Sequence, residues 1–334
     1  MTTPQTDLAL PVGDADLARR LQERMARVEE SLAGHVVGRS QFVTDAARHL
    51  LEAGGKRFRP LLVLLAAEAG EDPGNVDVEV AACVVEITHL GSLYHDDVMD
   101  EADLRRGADS ANARYDNLVA ILTGDFLFAR SSELTSRLGR DAVRIQAETF
   151  TRLVEGQILE TVPPGPGEDP LAHYLEVVAG KTGSLIATSA RYGARFSGTP
   201  RDVEDALHEY GAKVGVAFQL SDDILDIASD TEESGKTPGT DLREGVPTLP
   251  VLIARRSTDP ADARLVELLG SDLSADEPHA EALALLRAHP ALAEARAYVI
   301  GLATEAKALL KVLPEGPVRT ALEAFADVVA TRTA

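Results

Sequence analysis

Residues 76–100 read VDVEVAACVVEITHLGSLYHDDVMD, a long apolar run that ends in three aspartates. The run contains no proline, and its apolar residues occupy most faces of a helical projection, which predicts a buried helix. Residues i and i+4 lie one turn apart on the same helix face. Asp96 and Asp100 are therefore predicted to direct two carboxylates toward one point at the C-terminal end of this helix.

A second copy of the same acidic pattern follows later in the chain, as Asp222-Asp223-Ile224-Leu225-Asp226. It also ends an apolar stretch with helical spacing. Two acid clusters that face each other repel unless cations lie between them. Ligand sets made only of oxygen suit Mg²⁺, which keeps several waters and completes its shell with substrate phosphates. The duplicated pattern thus indicates an enzyme that holds a diphosphate between two acidic helices.

The remaining sequence is also dominated by helical periodicity, and strand-like alternation is scarce. The predicted helices are Ala15–Leu32, Val76–Asp100, Leu118–Leu138, Asp141–Thr161, Leu171–Tyr192, Val203–Asp226 and Ala291–Leu313. We expect an all-α fold. Because the acid clusters and the basic residues between them must meet, we expect one domain over residues 14–334, preceded by a disordered N-terminus at residues 1–13.

Composition narrows the class of protein. The 33 basic and 54 acidic residues give a net charge of −21, which argues against nucleic-acid binding. The one cysteine, Cys83, permits no disulfide within the chain, which suits a reducing cytoplasm. The N-terminal segment lacks the pattern of a signal peptide. The longest apolar stretch, near residues 60–67, is shorter than the about 20 residues that span a bilayer, so we expect a cytoplasmic protein without a transmembrane segment.

Two basic segments flank the first acid cluster. Upstream lies Gly54-Gly55-Lys56-Arg57-Phe58-Arg59-Pro60, in which glycines permit close approach of a ligand and the cations provide charge-assisted donors. Cations at the start of a helix are disfavoured by the helix dipole unless an anion is near. Downstream lies Leu104-Arg105-Arg106-Gly107. The two basic segments therefore predict a pocket that binds a phosphate group together with Mg²⁺.

Five further residues are candidates for the site: Lys181, Thr182, Gln219, Lys236 and His89. Lys181-Thr182-Gly183 interrupts a predicted helix, and Gln219 lies one turn before Asp222 and Asp223 on the same side. Lys236 lies in a glycine-containing loop after the second acid cluster. His89 lies two turns before Asp96 on the same face, which favours a role in the site over a core histidine.

Taken in order, these motifs resemble those of the trans-isoprenyl diphosphate synthases. The resemblance runs from about Gly54 to Leu249 and rests on Gly-Gly-Lys-Arg-x-Arg-Pro, His-Asp-Asp-x-x-Asp, Leu-Arg-Arg-Gly, Lys-Thr, Phe-Gln-x-x-Asp-Asp-x-x-Asp and Gly-Lys. It implies a helical bundle around a central cavity, usually in a homodimer. It also implies a Mg²⁺-dependent prenyltransferase that condenses isopentenyl diphosphate head-to-tail with an allylic diphosphate.

The resemblance implies a role for each matching residue. Asp96 and Asp100 would bind two Mg²⁺ and Asp222 a third. Isopentenyl diphosphate would be held by Lys56, Arg59, His89 and Arg106, and the allylic diphosphate by Arg105, Lys181, Thr182, Gln219 and Lys236. The residues expected to act in catalysis are Asp96, Asp100, Lys181, Gln219 and Asp222. Two departures are visible: Val246 stands where many members have a lysine, and the C-terminus lacks the basic tail of some short-chain members, which puts a role of the C-terminus in doubt.

Product length is expected to depend on the residues that precede the first acid cluster. Thr88, Gly91 and Ser92 lie eight, five and four residues before Asp96, and all three are small. Short-chain members place aromatic residues near the last two positions as a cavity floor. Their absence here favours products of about C40–C50, the quinone side-chain type, over C20–C35. The alternative is a floor supplied by a facing helix, near Phe126 or Phe128. An oily product of this kind would be expected to reach a membrane surface.

Two rival functions share parts of this pattern. A terpene cyclase usually carries a different second metal motif and needs no isopentenyl site, so the Gly54–Pro60 segment and Arg106 argue against it. A non-catalytic partner subunit is expected to have lost acids or cations that this chain retains. The sequence therefore favours an active synthase.

Overall fold

The computed structural model of the chain describes residues 12–229 and 238–332, and nearly all of its regular structure is helical. The helices of the first half are α1 (Ala15–His35), α2 (Gln41–Glu52), α3 (Phe58–Ala67), α4 (Val76–Met99), α5 (Ala111–Tyr115), α6 (Asn117–Arg137) and α7 (Arg140–Glu160). The helices of the second half are α8 (Pro170–Val178), α9 (Ser184–Phe196), α10 (Arg201–Ala228), α11 (Thr240–Arg243), α12 (Leu249–Ala254), α13 (Ala263–Leu269), α14 (Asp276–Ala288), α15 (Pro290–Leu309) and α16 (Pro317–Thr331). The all-α prediction is confirmed.

The described residues divide into two compact units. The first comprises the chain up to Phe150 with Leu185–Gly211 and Val312–Leu322. The second comprises Thr151–Ser184, Ala212–Lys311 and the described residues from Glu323 onward. The first acid cluster belongs to the first unit and the second acid cluster to the second unit. The expectation of a single domain over residues 14–334 remains a prediction. The expectation of disorder at residues 1–13 falls mainly on residues 1–11, which lie outside the described residues.

Helix α4 is the central helix of the first unit and packs against α1, α3 and α6. Asn75 caps its N-terminus by accepting the Asp77 N–H, and acidic residues in the first turn complement the helix dipole. The apolar middle of α4 is fully buried, as the continuous apolar run predicts. The helix ends at Met99, so that Asp96 lies in its last turn and Asp100 caps it.

The predicted helix over Leu171–Tyr192 is divided in the structure. It consists of α8, one π-helical turn at Ala179–Gly183, and α9. The π turn falls on the Lys181-Thr182-Gly183 motif, where the sequence predicts an interruption. Single π-helical turns inside helices are frequently found at functional sites.

Several elements are not anticipated from the sequence, notably α2, α3, α16 and a short hairpin. The hairpin pairs β1 (Leu104–Arg105) with β2 (Ala108–Asp109) in antiparallel register. Its turn residues, Arg106 and Gly107, have φ of 55° and 78°. Positive φ at both central residues is typical of a type I′ turn, which matches the twist of a hairpin. Within residues 12–229 and 238–332, no helix combines the length and the hydrophobicity needed to cross a membrane.

Candidate functional site

The three aspartates of the first acid cluster have different environments. Asp97 is fully buried, and its carboxylate accepts hydrogen bonds from Arg105 Nε at 2.6 Å and from the Ala111 N–H at 3.0 Å. Asp96 is half-buried and Asp100 is exposed. Asp97 thus anchors the hairpin and α5 to α4, while the side chains of Asp96 and Asp100 are more accessible to solvent.

The hairpin brings both of its arginines to the end of α4. Arg105 bonds to Asp97 and lies 3.9 Å from Asp100. The Arg106 guanidinium donates to the Leu50 carbonyl at 3.0 Å and also to the Gly54 carbonyl. A β-carbon at Gly55 would lie 2.9 Å from the Arg106 guanidinium carbon, so a side chain there would displace this contact. Arg106 is therefore tied to the loop that leads into the basic segment.

A cluster of cations forms around His89 in the first unit. Arg59, at the start of α3, is half-buried, and its Nε has no hydrogen-bond partner among the described residues. Burial lowers the pKa of Arg59 to about 10. Burial also holds the pKa of His89 well below its usual value, and the charges of Arg59 and Arg106 lower it further. We call Arg59, His89 and Arg106 the Arg59 cluster; a bound anion would relieve its repulsion and give Arg59 Nε a partner.

The other two cations of the basic segment differ from Arg59. Lys56 has an exposed side chain and lies three residues before Arg59 in the sequence. Arg57 is buried and forms ion pairs with Glu29 and Glu86 at 2.5 and 3.0 Å. The sequence did not single out Glu29 or Glu86, because a glutamate on an apolar helix has no distinguishing local pattern.

In the second unit, a chain of hydrogen bonds orients Gln219. The Thr182 hydroxyl donates to Gln219 Oε1 at 3.1 Å, and Gln219 Nε2 donates to Asp223 Oδ1 at 3.1 Å. The Tyr174 hydroxyl, which the sequence did not identify, donates to the same carboxylate. Burial raises the pKa of Asp223 well above its usual value, and the charges of Asp241 and Asp226 add to this. The structure therefore brings Thr182 and Gln219 together.

The acids and cations around Gln219 are engaged in different contacts. Asp226 accepts the Thr240 and Asp241 N–H groups at 3.1 Å each, at the start of α11. Lys181 pairs with Glu160 at 2.6 Å. Lys236 lies outside the described residues.

Near the chain end, Arg332 pairs with Asp222 at 2.7 Å, and its guanidinium lies 4.7 Å from the centre of the Phe218 ring. A C-terminal arginine thus contacts the second acid cluster, although the sequence lacks a basic tail.

Each unit carries carboxylate donors of the kind that suits Mg²⁺. They are Asp96 and Asp100 in the first unit and Asp222 in the second unit. In the part of the chain that the structure describes, no group of three or more acidic, histidine or cysteine side chains forms a closed metal site. Mg²⁺ is usually bound by one or two carboxylates together with water and substrate phosphates, so it does not require such a group.

The three small residues before the first acid cluster have unlike surroundings. The Thr88 hydroxyl is buried between Ser131 at 2.7 Å and Gln146 at 2.8 Å. Ser92 donates to the carbonyl of His89 at 2.8 Å.

Gly91 faces the Phe128 ring of α6, and a β-carbon at Gly91 would lie 3.0 to 3.2 Å from three atoms of that ring. Phe128 also packs on Phe150, with ring centres 4.6 Å apart. An aromatic ring therefore lies beside Gly91 although α4 itself carries none there.

Comparisons with known proteins identify the family of the chain. Residues 40–286 match the family model of polyprenyl synthetases. The chain is 47% identical to the nonaprenyl diphosphate synthase of Mycobacterium tuberculosis over 99% of both proteins. It resembles the crystal structure of a Corynebacterium glutamicum geranylgeranyl pyrophosphate synthase complexed with calcium and isoprenyl diphosphate, with a TM-score of 0.87, 47% identity and coverage of 96% of this chain and 98% of that chain.

A decaprenyl diphosphate synthase of Rhodobacter capsulatus has a similar structure, with a TM-score of 0.86, 34% identity and coverage of 96% of this chain and 99% of that chain. The resemblance to the trans-isoprenyl diphosphate synthases is thereby confirmed. By its sequence motifs, its helical fold and these similarities, the chain belongs to the polyprenyl synthetase family of prenyltransferases.

Proposed function

We propose that the protein is a trans-polyprenyl diphosphate synthase that joins isopentenyl diphosphate head-to-tail to an allylic diphosphate. The observation that carries the proposal is the Arg59 cluster, which lies near Asp96 of the first acid cluster. Its buried, unpartnered guanidinium nitrogen suits the diphosphate of isopentenyl diphosphate. A terpene cyclase acts on one allylic diphosphate and has no use for a second diphosphate site.

The residues of the two acid clusters would hold Mg²⁺, with Asp96 and Asp100 binding two ions and Asp222 a third. Bound Mg²⁺ would neutralise the charge that develops on the departing diphosphate. We propose that Arg105, Lys181 and Lys236 bind the allylic diphosphate. Arg332 pairs with Asp222, and Lys181 pairs with Glu160. These two ion pairs must separate when Mg²⁺ and the allylic diphosphate bind.

The formation of the carbon–carbon bond depends on electrostatic stabilisation of a cation, and it requires no nucleophilic side chain. After the allylic C–O bond ionises, the carbonyl of Gln219 would face the cation. The Thr182 donor occupies one of its two lone pairs and the other remains for the cation. The isopentenyl double bond would then attack the allylic cation, which forms the new C–C bond and leaves a tertiary cation on C3 of the isopentenyl unit. Loss of a proton from C2 of that unit would form the new double bond. We propose that the released diphosphate accepts this proton.

We propose a long product of about C40–C50, which the small residues Gly91 and Ser92 and the nonaprenyl-synthase relative support. The Phe128 ring beside Gly91 specifically favours the alternative, a product of about C20–C35.

We also propose a homodimer. It is supported by three apolar side chains that α6 exposes, Leu118, Ile121 and Leu122, with relative exposures of 66, 42 and 57%. A cytoplasmic location and delivery of the product to a membrane surface belong to the same proposal.

The decisive experiment incubates the purified protein with Mg²⁺, isopentenyl diphosphate and either farnesyl or geranylgeranyl diphosphate, and separates products by mass spectrometry. A ladder of linear diphosphates ending near C40–C50 is the expected result. A ladder that stops at C20–C35 would support the proposed reaction and indicate a shorter product cavity. Cyclic hydrocarbons with isopentenyl diphosphate unconsumed contradict the proposal in favour of a cyclase, and no turnover at all favours a partner subunit.

A further inference from the structure

Arg57 differs from its neighbours because every one of its donors is already used. A guanidinium has five N–H donors. Nε donates to Glu29 at 2.5 Å, and the Nη1 group donates to Glu86 at 3.0 Å and to the Gly54 carbonyl at 3.5 Å. The Nη2 group donates to the Leu51 carbonyl at 2.9 Å and to the second oxygen of Glu29 at 3.4 Å. No donor remains for a diphosphate, in contrast to Arg59.

These bonds join elements that are far apart in sequence. Glu29 belongs to α1, Leu51 to α2 and Glu86 to α4, and all three belong to the first unit. Arg57 itself stands just before α3 with φ of 46°, a left-handed conformation that residues with a β-carbon seldom adopt. A residue keeps such a conformation only where its surroundings hold it, and five hydrogen bonds do so here.

The Gly54 carbonyl is the point where Arg57 meets the Arg59 cluster. It accepts hydrogen bonds from both Arg57 and Arg106. The two guanidinium groups therefore hold the Gly54–Gly55 turn together, at backbone φ of 92° and 149°. Lys56 and Arg59 follow this turn directly, so its conformation determines where their side chains start.

Glu86 supplies the negative charge that this arrangement requires. Its side chain is 2% exposed on α4, one turn before His89. Its charge acts on Arg57, Arg59 and Arg106, and opposes the lowering of the pKa that burial causes in each arginine. Burial disfavours the charge of Arg57 as well, yet Glu86 and Glu29 together raise its pKa.

We propose that Arg57, held by Glu86 and Glu29, is a positioning residue that sets the geometry of the isopentenyl diphosphate site without touching the diphosphate. The assignment of the Arg59 cluster to that substrate rests on the function proposed above. Two consequences follow: loss of Arg57 impairs isopentenyl diphosphate selectively, and a lysine does not replace it, because a point charge cannot make five directed bonds.

The test compares Arg57→Met and Arg57→Lys with wild type by calorimetric binding of isopentenyl diphosphate and by steady-state kinetics. Both variants are expected to weaken isopentenyl binding and to raise its KM about tenfold or more, the scale of a misplaced binding group. The KM for the allylic diphosphate should stay within about twofold. A milder variant, Glu29→Gln, keeps four of the five bonds and is expected to shift isopentenyl binding in the same direction by a smaller factor.

Arg24→Met is the matched control. Arg24 is also buried in the first unit and pairs with Glu68 and Glu79, near the opposite end of α4. It should lower the melting temperature and leave isopentenyl binding unchanged.

The positioning role is overturned if Arg57→Met binds isopentenyl diphosphate as tightly as the wild type does. It is also overturned if Arg24→Met loses as much affinity for isopentenyl diphosphate as Arg57→Met does. Full binding by Arg57→Lys would instead make Arg57 a direct ligand. If the wild type binds isopentenyl diphosphate without turnover, the proposed function fails while this comparison still decides the role of Arg57. If the wild type does not bind it, both proposals fail.

Discussion

At the scale of single residues, identical side chains in one motif do different work. Asp97 is wholly buried and bonded to Arg105 and to the backbone of Ala111, whereas Asp96 is half-buried and Asp100 is exposed. A carboxylate that already accepts a charged donor inside the protein contributes to local structure. Asp96 and Asp100, which are more accessible, are the aspartates that we propose as ligands of Mg²⁺.

Asp96→Ala is expected to reduce kcat about 100-fold or more, because it removes a carboxylate proposed to share the metal ions. The measurement is turnover of isopentenyl and allylic diphosphates at saturating Mg²⁺. The same substitution at Asp45, an exposed residue of α2 bonded only to Gln41 among the contacts observed, should leave kcat near wild type. Turnover close to wild type in Asp96→Ala would remove Asp96 from the metal site.

His89 should make the protein less stable in mild acid. Burial and the charges of Arg59 and Arg106 depress its folded-state pKa well below the unfolded value of about 6.5. Below about pH 6.5 the unfolded chain binds more protons at His89 than the folded protein does. The stability that neutral His89 permits is therefore intact above about pH 6.5, and it is lost as the pH falls from there toward the folded-state pKa. Melting temperatures from about pH 8 to about pH 5 should fall less steeply in His89→Gln than in wild type. Parallel curves would show that His89 is not held neutral.

At the scale of helices, the contact between α4 and α6 bears on product length. Gly91 lacks a side chain, and the Phe128 ring of α6 lies against it. The aromatic ring beside the small residues of α4 thus comes from another helix. A pattern confined to the residues before Asp96 does not contain this information.

Phe128→Ala is therefore expected to extend the product ladder by at least one five-carbon unit, measured by mass spectrometry of the products. Phe126→Ala is the matched control, because two residues apart on a helix point in nearly opposite directions. An unchanged ladder in Phe128→Ala, or an equal extension in Phe126→Ala, would place the end of the cavity elsewhere.

A second helix contact positions the π turn. A β-carbon at Gly156 of α7 would lie 2.4 Å from the Lys181 backbone nitrogen, a distance that requires the backbone to move. Gly156→Ala should displace Lys181 and Thr182 and lower kcat by about tenfold to 100-fold. Gly301→Ala, in the middle of α15 with open space around it, should keep kcat and slightly raise the melting temperature. Equal kcat values in the two variants would contradict the close approach at Gly156.

At the scale of the whole molecule, the single cysteine gives a probe of unfolding. Cys83 has no exposed surface in the middle of α4, and burial raises the pKa of its thiol to about 12. The native protein should resist a thiol reagent at about pH 8 and react fully once unfolded in denaturant. Reaction of native protein as fast as of unfolded protein would contradict the burial. Because the folded thiol keeps its proton, stability should also fall as the pH rises above the unfolded value of about 8.5.

The whole chain is strongly acidic, yet its candidate substrate site in the first unit is cationic. The net charge of −21 repels anions at long range, while Arg59 and Arg106 attract them at short range. Mg²⁺ bound to the diphosphates and to the acid clusters would reduce that repulsion.

Local patterns in the sequence determined the helical class, the positions of both acid clusters and the interruption at Lys181. These follow from periodicity and from residues one turn apart, so a short segment contains all of the information. The long-range contacts of Asp97, Arg57 and Phe128 came only from the tertiary structure. Arg57, for example, meets Glu29 and Glu86 from two other helices. The burial and the partners of a side chain depend on which distant segments pack against it, and helical periodicity specifies only which face a residue occupies, not what covers that face.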